Sequence, residues 1–359
     1  MSESQSPASA YEQAVAVRAE TLQLVPEGQW PDEGWQRFIA HGVTRWTIPQ
    51  AYDGAGFATA DILAGCMELA RADLVPAFIL TQFQSAITRL GVAPSDGLKE
   101  WWLPRLASGE CFATVGISHL TTSRQHVAKP VVTAEPTDLG YQLTGDVPWV
   151  TGGSHADLLV TGAIVPDGRQ ILVALPTNRA GVTVGAFEDL LALTGSQTGP
   201  VHLEGAQVSR EEVLAGPAEK VMQVGSTGGT GSLTTSALAL GHAQSSIDRL
   251  KTEAAARSYL EEIVSAFEAD ANALRQALLE MAEGRPGPDD NPETLRARTT
   301  ALALATSQAY LTASKGAGFV AGHPAERLAR QAMFFLVWSC PQAVSSKLLR
   351  EFSGCEEAL

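Results

Sequence analysis

The sequence predicts an α+β protein with an N-terminal helical domain, a middle antiparallel β domain and a C-terminal four-helix bundle. Three observations predict this order. Apolar residues recur at helical spacing up to residue 108, short β-branched and aromatic runs alternate with turn residues from 111 to 217, and Ala/Leu-rich helical segments follow from about 226 to 352. The predicted domains are residues 1–110, 111–217 and 218–359.

The composition indicates a folded chain in a reducing compartment. The 359 residues are 45% hydrophobic and 18% charged, which suits a chain that buries a large core. The net charge of −14, with no basic block, argues against nucleic acid as a partner. Four scattered cysteines form no CxxC pair, so we expect no disulfide framework, no metal site and a cytoplasmic location. We also expect no signal peptide and no membrane span, because neither sequence pattern is present.

The individual elements follow from local patterns. Segment 59–74 places apolar residues on one helical face, and segment 76–90 begins with Pro76, which suits a first helical turn. In the middle part, LLVTGAIV and QILVAL flank PDGR and predict a hairpin. In the last part, the Ala-rich stretches 232–247 and 300–314 predict helices with small-residue surfaces, which we expect to pack closely between subunits.

Seven short segments occur along residues 35–350 in a fixed order. They are IPQAYDGAGF, MELARAD, WLPRLASGE, GYQLTGDVPWVTGGSHAD, TGSQTGPVHLEGAQVSREEVLAG, SALALGHAQSSIDRL and GAGFVAGHPAERLARQA. Together they resemble the acyl-CoA dehydrogenase family of flavoproteins. The resemblance implies that FAD lies between the β domain and the bundle, that the chain forms a homodimer or homotetramer, and that the substrate is a small molecule such as an acyl thioester.

The tripeptide Trp149-Val150-Thr151 resembles the WIT motif of that family. The resemblance implies that the aromatic ring flanks the flavin and that the threonine hydroxyl bonds the reactive edge of the flavin. A flat ring beside a hydroxyl suits this task, because the ring covers apolar surface while the hydroxyl tunes polar ring atoms. The alternative is an ordinary strand with a buried Trp149 and an exposed Thr151.

The family's LTEPGSGSD loop aligns with residues 117–125 of this chain. Ser118 keeps a hydroxyl there, whereas the family's Glu, Pro and glycines are missing. The resemblance therefore implies that Ser118 contacts the flavin. Arg124 replaces a small residue and is a candidate to bind an anionic group of the substrate, with ordinary surface exposure as the alternative.

Arg257 lies sixteen residues after Gly241, where the family places the arginine that reaches the FAD pyrophosphate. A guanidinium suits phosphate oxygens because it binds them bidentately. The alternative is a solvated helix residue that pairs with Glu253 or Glu261. Glu268 replaces the family's glutamine, and a carboxylate near a diphosphate is unfavourable.

Residues 312–318 align with the family's QVLGGYG segment. Gly316 and Gly318 remain, and glycines permit a nucleotide to approach the backbone closely. The glutamine is lost, and Lys315 is the residue we expect to compensate the charge of Glu268.

The usual catalytic base is missing. The family's glutamate, nine residues after the arginine of its RDA motif, aligns with Ser339, counted from Arg330. A serine cannot remove a proton at neutral pH without a partner base. The alternative base position on the first bundle helix aligns with Gly231 and Ser232, so neither position is ionisable.

Few other ionisable residues are candidates for the catalytic base. His119 lies in the loop expected beside the flavin, and His242 lies on the first bundle helix, although a lone histidine is more often structural. Glu188 and Asp189 reach the site only if their loop folds over it. Cys340 has no neighbouring base and is predicted to be a buried thiol.

Three functions remain open at this point. The first is an FAD-dependent oxidoreductase that acts on an acyl thioester with a relocated base. The second is a flavin monooxygenase or oxidase on the same fold, which needs no α-proton acceptor. The third is a non-catalytic family member. We prefer the general statement that the protein is a flavin-dependent oxidoreductase and leave its reaction open, because fold alone does not fix the chemistry.

Overall fold

The computed structural model describes residues 8–21, 24–121, 130–224, 232–288 and 290–354. These residues form two compact units, each assembled from separate stretches of the chain. The first unit takes the described residues up to 24, residues 57–77 and those from 232 onward. The second takes residues 25–56 and the described residues from 78 to 224. This division does not test the boundaries of the three predicted domains, which remain a prediction.

The helices and strands follow the predicted α, β, α order. The helices are α1 (Ala10–Glu20), α2 (Asp32–Ala40), α3 (Thr59–Ala72), α4 (Leu74–Gly91), α5 (Asp96–Ser108), α6 (Ser118–Thr121), α7 (Ser232–Ala254), α8 (Glu261–Ala282), α9 (Pro292–Gly318), α10 (Pro324–Val337) and α11 (Gln342–Ser353). The strands are β1 (Ala113–Gly116), β2 (Val132–Pro136), β3 (Gly140–Val150), β4 (Leu158–Ile164), β5 (Gln170–Pro176), β6 (Val182–Val184), β7 (Gly199–Ser209) and β8 (Val213–Ala218). None of the helices in these described stretches has both the length and the apolar character needed to cross a bilayer.

Several helices begin at residues that satisfy their free backbone N–H groups. The hydroxyl of Ser9 accepts from the backbone of Glu12 in a capping box at α1, and Ser95 caps α5 in a similar way. Asn291 caps α9, which starts with Pro292 at a position where a proline needs no N–H partner. Local sequence therefore fixes these helix starts before any tertiary packing.

The first unit is a helical assembly in which α7 packs against α3, α8, α9 and α10. Gly241 lies where α7 approaches α3, because a Cβ there would sit 2.2 Å from the carbonyl oxygen of Met67. The Ala-rich faces of α7 and α9 are also used within this unit, with Ala239, Ala243 and Ala303 fully buried. The expectation that these faces pack between subunits is therefore corrected: they form the core of a single chain.

The second unit contains the sheet, α2, α5, α6 and the greater part of α4. The strand order is β6-β7-β3-β2-β4-β5-β8, and β1 pairs with β4. The predicted hairpin is confirmed, since Leu158–Ile164 pairs antiparallel with Gln170–Pro176. The α+β class is also confirmed, although the sheet is mixed: β1 and β2 both run parallel to β4, and the other pairs are antiparallel.

The pairing of β3 with β7 contains a β-bulge just before the end of β3. Val147 lies opposite Val201 and Val150 lies opposite Gly199, so β3 advances three residues where β7 advances two. The extra residue bends the strand. Val147 and Val150 both face the core as a result, whereas the backbone of Trp149 adopts φ 56° and its side chain is exposed.

Candidate functional site

The end of β3 places Trp149, Val150 and Thr151 in three different environments. The side chain of Trp149 is 43% exposed, Val150 belongs to the core of the sheet, and Thr151 is fully shielded from solvent. This is the reverse of the ordinary strand alternative, which expected a buried tryptophan and an exposed threonine. The bulge accounts for the exposed Trp149, because it brings Val150 rather than Trp149 onto the core face. Thr151 follows the end of β3, so its burial does not depend on strand alternation.

Thr151 belongs to a chain of buried hydroxyl groups. The Oγ1 atoms of Thr151 and Thr198 lie 2.9 Å apart, and Thr198 Oγ1 lies 2.9 Å from Ser196 Oγ. The hydroxyl of Thr114 donates to the carbonyl of Thr151 at 2.7 Å, and the N–H of Gly152 donates to the carbonyl of Ser196 at 3.0 Å. All four hydroxyl-bearing residues are at most 2% exposed, so these bonds hold the turn without competition from water.

Unusual backbone conformations flank this hydroxyl chain. Trp149 precedes it with φ 56°, and Leu193 and Gln197, on either side of Ser196, have φ 62° and φ 46°. Non-glycine residues rarely adopt this left-handed region and persist there only when their surroundings enforce it. Such residues cluster at functional sites, which marks this turn as a candidate site.

A surface pocket of about 400 Å³ lies next to the same turn. His155, Gln197 and Phe187 contribute to its lining. The ring of His155 stacks on Trp30 at 4.0 Å between ring centroids, and its Nε2 lies 2.8 Å from Gln197 Oε1. Gly152 also packs against Trp30, because a Cβ added to Gly152 would come within 2.6 Å of the indole ring. The pocket is therefore built on a rigid aromatic support.

The helix α6 carries the predicted loop residues Ser118 and His119. The hydroxyl oxygen of Ser118 is shielded from solvent. His119 Nε2 lies 2.9 Å from the carbonyl oxygen of Gly162 on β4 and donates its proton to it, which leaves the lone pair of the neutral ring on Nδ1. Burial lowers the pKa of His119, and the bond to Gly162 opposes this effect only in part. Arg124 lies outside the described residues.

Nδ1 of His119 is the ring atom on which a base role for this residue depends. It is shielded and has no hydrogen-bond partner among the described residues. The fixed tautomer gives His119 a free lone pair, and the lowered pKa keeps the ring neutral at pH 7. The same bond also ties α6 to the central part of the sheet, so a structural role explains the geometry equally well.

In the first unit, Arg257 is already paired with an acid. Its guanidinium donates to the carboxylate of Glu253, one helical turn earlier, and to the carbonyl of Ala313. This is the pairing that the surface alternative predicted, with Glu253 rather than Glu261 as the partner. An anion that binds to Arg257 must therefore compete with Glu253.

The expected compensation of Glu268 by Lys315 is wrong. Glu268 forms its ion pair with Lys251 on α7. Lys315 is exposed and interrupts α9, with φ 54° and ψ −146°. The backbone at Gly316 is open, since a Cβ there would meet no atom within 4 Å. At Gly318, by contrast, a Cβ would come within 2.6 Å of Ser314, so this glycine is needed for packing.

Ser339 lies in the turn between α10 and α11 with φ 44° and is half-buried. The peptide group just before it is held by Arg296, whose guanidinium donates to the carbonyl oxygens of Phe335 at 2.9 Å and Trp338 at 3.1 Å. Arg296 is fully buried, which lowers its pKa to about 10. The sequence did not single out this arginine, because its helical spacing resembles that of a solvated residue.

The remaining candidates lie in ordinary environments. His242 is fully buried and donates from Nε2 to the carbonyl of Leu328 at 3.0 Å, and burial lowers its pKa to about 4. Glu188 and Asp189 are exposed carboxylates. Cys340 is half-buried rather than buried as predicted, and desolvation raises its pKa.

The other predicted base position is only partly described. Ser232 begins α7, and Gly231 lies outside the described residues. Within the described stretches, no group of three or more His, Cys, Asp and Glu side chains could hold a metal ion.

Comparison with known proteins finds similarity to acyl-CoA dehydrogenases. The family model for the N-terminal domain of acyl-CoA dehydrogenase matches residues 6–110. A probable acyl-CoA dehydrogenase of Bacillus subtilis (strain 168), YngJ, is 25% identical over 252 residues, which is 67% of this chain and 65% of the relative. The chain is therefore similar to acyl-CoA dehydrogenases over about two thirds of its length. Isobutylamine N-hydroxylase of Streptomyces viridifaciens is 28% identical over 189 residues, half of each chain. These matches span less than two thirds of the relatives' length.

Solved structures confirm the acyl-CoA dehydrogenase fold. The structure of a glutaryl-coenzyme A dehydrogenase glutaryl-CoA complex aligns with a TM-score of 0.82 at 19% identity, over 97% of this chain and 96% of that one. Dibenzothiophene monooxygenase TdsC from Paenibacillus sp. A11-2 aligns with a TM-score of 0.75 at 20% identity, over 97% of both chains. The same fold therefore occurs in a dehydrogenase and in a monooxygenase, and at these identities the likeness concerns the fold alone.

Proposed function

We propose that this chain is a member of the acyl-CoA dehydrogenase family and an FAD-dependent oxidoreductase whose flavin contacts Trp149, Val150, Thr151 and Ser118. The similarity to acyl-CoA dehydrogenases supports this proposal. The observation that carries it is the turn at the end of β3, where an exposed, flat indole ring adjoins a chain of buried hydroxyl groups on an unusual backbone. A bound flavin would supply hydride acceptance or, once reduced, reaction with dioxygen.

The residues of the turn suit a flavin in two respects. Trp149 offers an exposed aromatic face, which covers apolar ring surface well. The hydroxyl chain contains an O–H group beyond those that its own hydrogen bonds use, and a flavin edge provides acceptor atoms. Thr151 is fully shielded, so a ligand reaches its hydroxyl only after a local rearrangement.

On the adenine side we propose Arg257 and Gly316 as contacts of the dinucleotide. Gly316 supports this role because its backbone is exposed and open. Arg257 has the right chemistry for a diphosphate, but it must first exchange its bond to Glu253. Both side chains of the Arg257–Glu253 pair remain about 30% exposed, so this exchange costs little.

We further propose that the protein does not catalyse ordinary acyl-CoA dehydrogenation efficiently. Removal of the α-proton of a thioester needs a general base, which typically contributes about 10²–10⁴-fold to the rate. Ser339 stands at the aligned base position and does not ionise near neutral pH. His119 and His242 both have a ring whose Nε2 donates to a carbonyl and whose Nδ1 keeps a free lone pair. We propose His119 as the alternative base if an acyl thioester is the substrate, because it lies in the loop that aligns with the flavin-contacting loop of the family.

The second candidate function is a flavin-dependent monooxygenase. The specific observation that favours it is the absence of a carboxylate at Ser339, because oxygen activation needs no acceptor for an α-proton. The similarity to isobutylamine N-hydroxylase adds support, since that relative is a hydroxylase by name. Arg124 remains the proposed contact for an anionic group of the substrate.

The experiment compares purified wild type with Ser339→Glu. Both are incubated with FAD, examined for the visible flavin absorption and then mixed with acyl-CoAs of several chain lengths. We expect both to bind FAD and only Ser339→Glu to bleach the flavin. A wild type that stays colourless with FAD contradicts the flavin proposal. A wild type that bleaches as fast as the variant contradicts the loss of dehydrogenation.

We also propose that the chain assembles as a homodimer or homotetramer. Exposed apolar side chains on the first unit support this, with Met333 and Val337 one turn apart on α10, and Leu349 and Phe352 on one side of α11. Light scattering at micromolar concentration tests it, and a mass near 37.8 kDa, that of the single chain, contradicts it.

A further inference from the structure

The hydroxyl chain next to Trp149 has three protons but only two hydrogen bonds within the chain. Thr151, Thr198 and Ser196 contribute one O–H each, and the two contacts between them use only two of these protons. Thr198 lies in the middle. If both neighbours donated to it, its own buried proton would have no acceptor, so Thr198 donates to one neighbour and accepts from the other. The direction of the chain therefore decides whether the spare proton lies on Thr151 or on Ser196.

The two directions differ in what a ligand can do. If Ser196 donates to Thr198 and Thr198 donates to Thr151, the spare proton lies on Thr151, beside the exposed indole of Trp149. In the opposite direction the spare proton lies on Ser196, which is fully buried and has no other hydrogen-bond partner among the described residues. A buried donor without an acceptor is unfavourable, so an acceptor atom placed against Thr151 selects the first direction.

We propose that Thr198 is a positioning residue that orients the hydroxyl of Thr151 toward a bound flavin. This inference rests on the proposed flavin function. Thr198 donates to Thr151 when the facing flavin atom is an acceptor and accepts from Thr151 when that atom carries a proton. Once a flavin has reached Thr151, the direction changes by rotation of the three hydroxyl protons, without movement of any heavy atom. The site can therefore bond the flavin atom at the same geometry whether or not that atom carries a proton.

The surrounding backbone supports a fixed geometry for this chain. Leu193 and Gln197 hold the segment with Ser196 in left-handed conformations, and the Gly152 N–H bond to the Ser196 carbonyl joins the two segments. The hydroxyl of Thr114 donates a hydrogen bond to the carbonyl of Thr151. Thr151 therefore depends on Thr198 for the orientation of its hydroxyl alone, because its backbone is held independently.

The experiment uses the full chain with FAD and compares Thr198→Val with Thr198→Ser. Valine has the shape of threonine without the hydroxyl, whereas serine keeps the hydroxyl and loses only a methyl group. We expect Thr198→Val to weaken FAD binding about fivefold, the value of one hydrogen bond, and to shift the flavin reduction potential in the same direction as Thr151→Val. Thr198→Ser retains both wild-type properties. Thr183→Val, on an exposed position of β6, is the matched control.

A double variant separates positioning from packing. If Thr198 acts through Thr151, the potential of Thr151→Val/Thr198→Val equals that of Thr151→Val alone. Additive shifts overturn the inference, and so does a Thr198→Ser variant that behaves like Thr198→Val. A wild type that binds FAD while Thr198→Val leaves affinity and potential unchanged overturns the inference and leaves the flavin function standing. A wild type that binds no FAD overturns both.

Discussion

The guanidinium of Arg296 donates to the carbonyl oxygen of Phe335 at 2.9 Å inside the first unit, and both residues are fully buried. A second bond from the same nitrogen reaches Trp338, and the other terminal nitrogen donates to the hydroxyl of Thr300 at 2.6 Å. No carboxylate in the described stretches pairs with this cation. The carbonyl groups at the C-terminal end of α10 and the Thr300 hydroxyl on α9 take that place, and the bond to Trp338 holds the turn that carries Ser339.

Arg296→Met should lower the free energy of unfolding by about 2–4 kcal/mol, because the carbonyls of Phe335 and Trp338 lose their donor inside the core. Arg296→Lys should lose less, since an ammonium group still donates. The measurement is urea denaturation of the flavin-free chain. Arg298→Met is the matched control, because Arg298 is exposed on the same helix. Equal stability of the Arg296→Met and Arg298→Met variants contradicts this account.

The two glycines near the end of α9 should respond differently to substitution by alanine. Gly318→Ala should destabilise the chain by about 1–3 kcal/mol, because the new Cβ would lie 2.6 Å from the Cβ of Ser314. Gly316→Ala should have almost no effect on stability, since no atom lies within 4 Å of the Cβ it adds. Thermal unfolding without flavin measures both. A Gly316→Ala variant as unstable as Gly318→Ala would show that the backbone break at Lys315, rather than packing, needs glycine.

His242 should make stability depend on pH below neutrality. Burial lowers its pKa from the ordinary 6.5 to about 4, so between these values the unfolded chain binds a proton that the folded chain does not. The contribution of His242 to the free energy of unfolding is fully present above pH 6.5. It is lost as the pH falls toward 4, and the total loss is about 3 kcal/mol. His242→Gln keeps a donor for the Leu328 carbonyl and does not titrate. We expect its unfolding free energy to fall less than that of wild type between pH 7 and 4.5; parallel curves contradict the assignment.

Glu253→Gln should tighten FAD binding if Arg257 contacts the diphosphate. Removal of the carboxylate frees the guanidinium, so the anion no longer competes with Glu253. Arg257→Gln should weaken FAD binding. Titration calorimetry at two salt concentrations measures both effects. Glu261→Gln is the control, because it removes the same charge from an exposed residue that makes no described contact with Arg257. Equal gains from both glutamate variants would indicate general electrostatics rather than release of Arg257.

Much of the fold could be predicted because the local signals agreed with the final structure. The hairpin of β4 and β5 was evident from two β-branched runs around a turn, and the end of α9 from its glycines. The parallel pairing of β1 with β4 was not predictable from these signals. It depends on contacts between residues far apart in the chain, such as Ala113 and Leu158, and the strand itself is only four residues long.

The sequence motif singled out two residues of the candidate site, whose role in flavin binding stays a prediction, but not the hydrogen bonds around them. Trp149 and Thr151 were found from the motif, whereas Thr198 and Ser196 were not, because small polar residues in a turn have no periodicity that distinguishes a buried hydroxyl chain from a solvated loop. The compensation of Glu268 by Lys315 failed for a related reason. Sequence distance suggests which charges are available, but helix packing brought Lys251 to Glu268 instead.

The bulge in β3 means that the number of residues in this strand matters as much as their identity. Removal of one residue between Val147 and Val150 would make both strands advance two residues there and restore regular pairing with β7, with Val150 still opposite Gly199. Val150 would keep its place in the core, but the bulge with its left-handed residue at Trp149, whose side chain is exposed, would be lost. Among relatives of this protein, a one-residue deletion here should therefore change the site more than most substitutions, even where the tripeptide itself is kept.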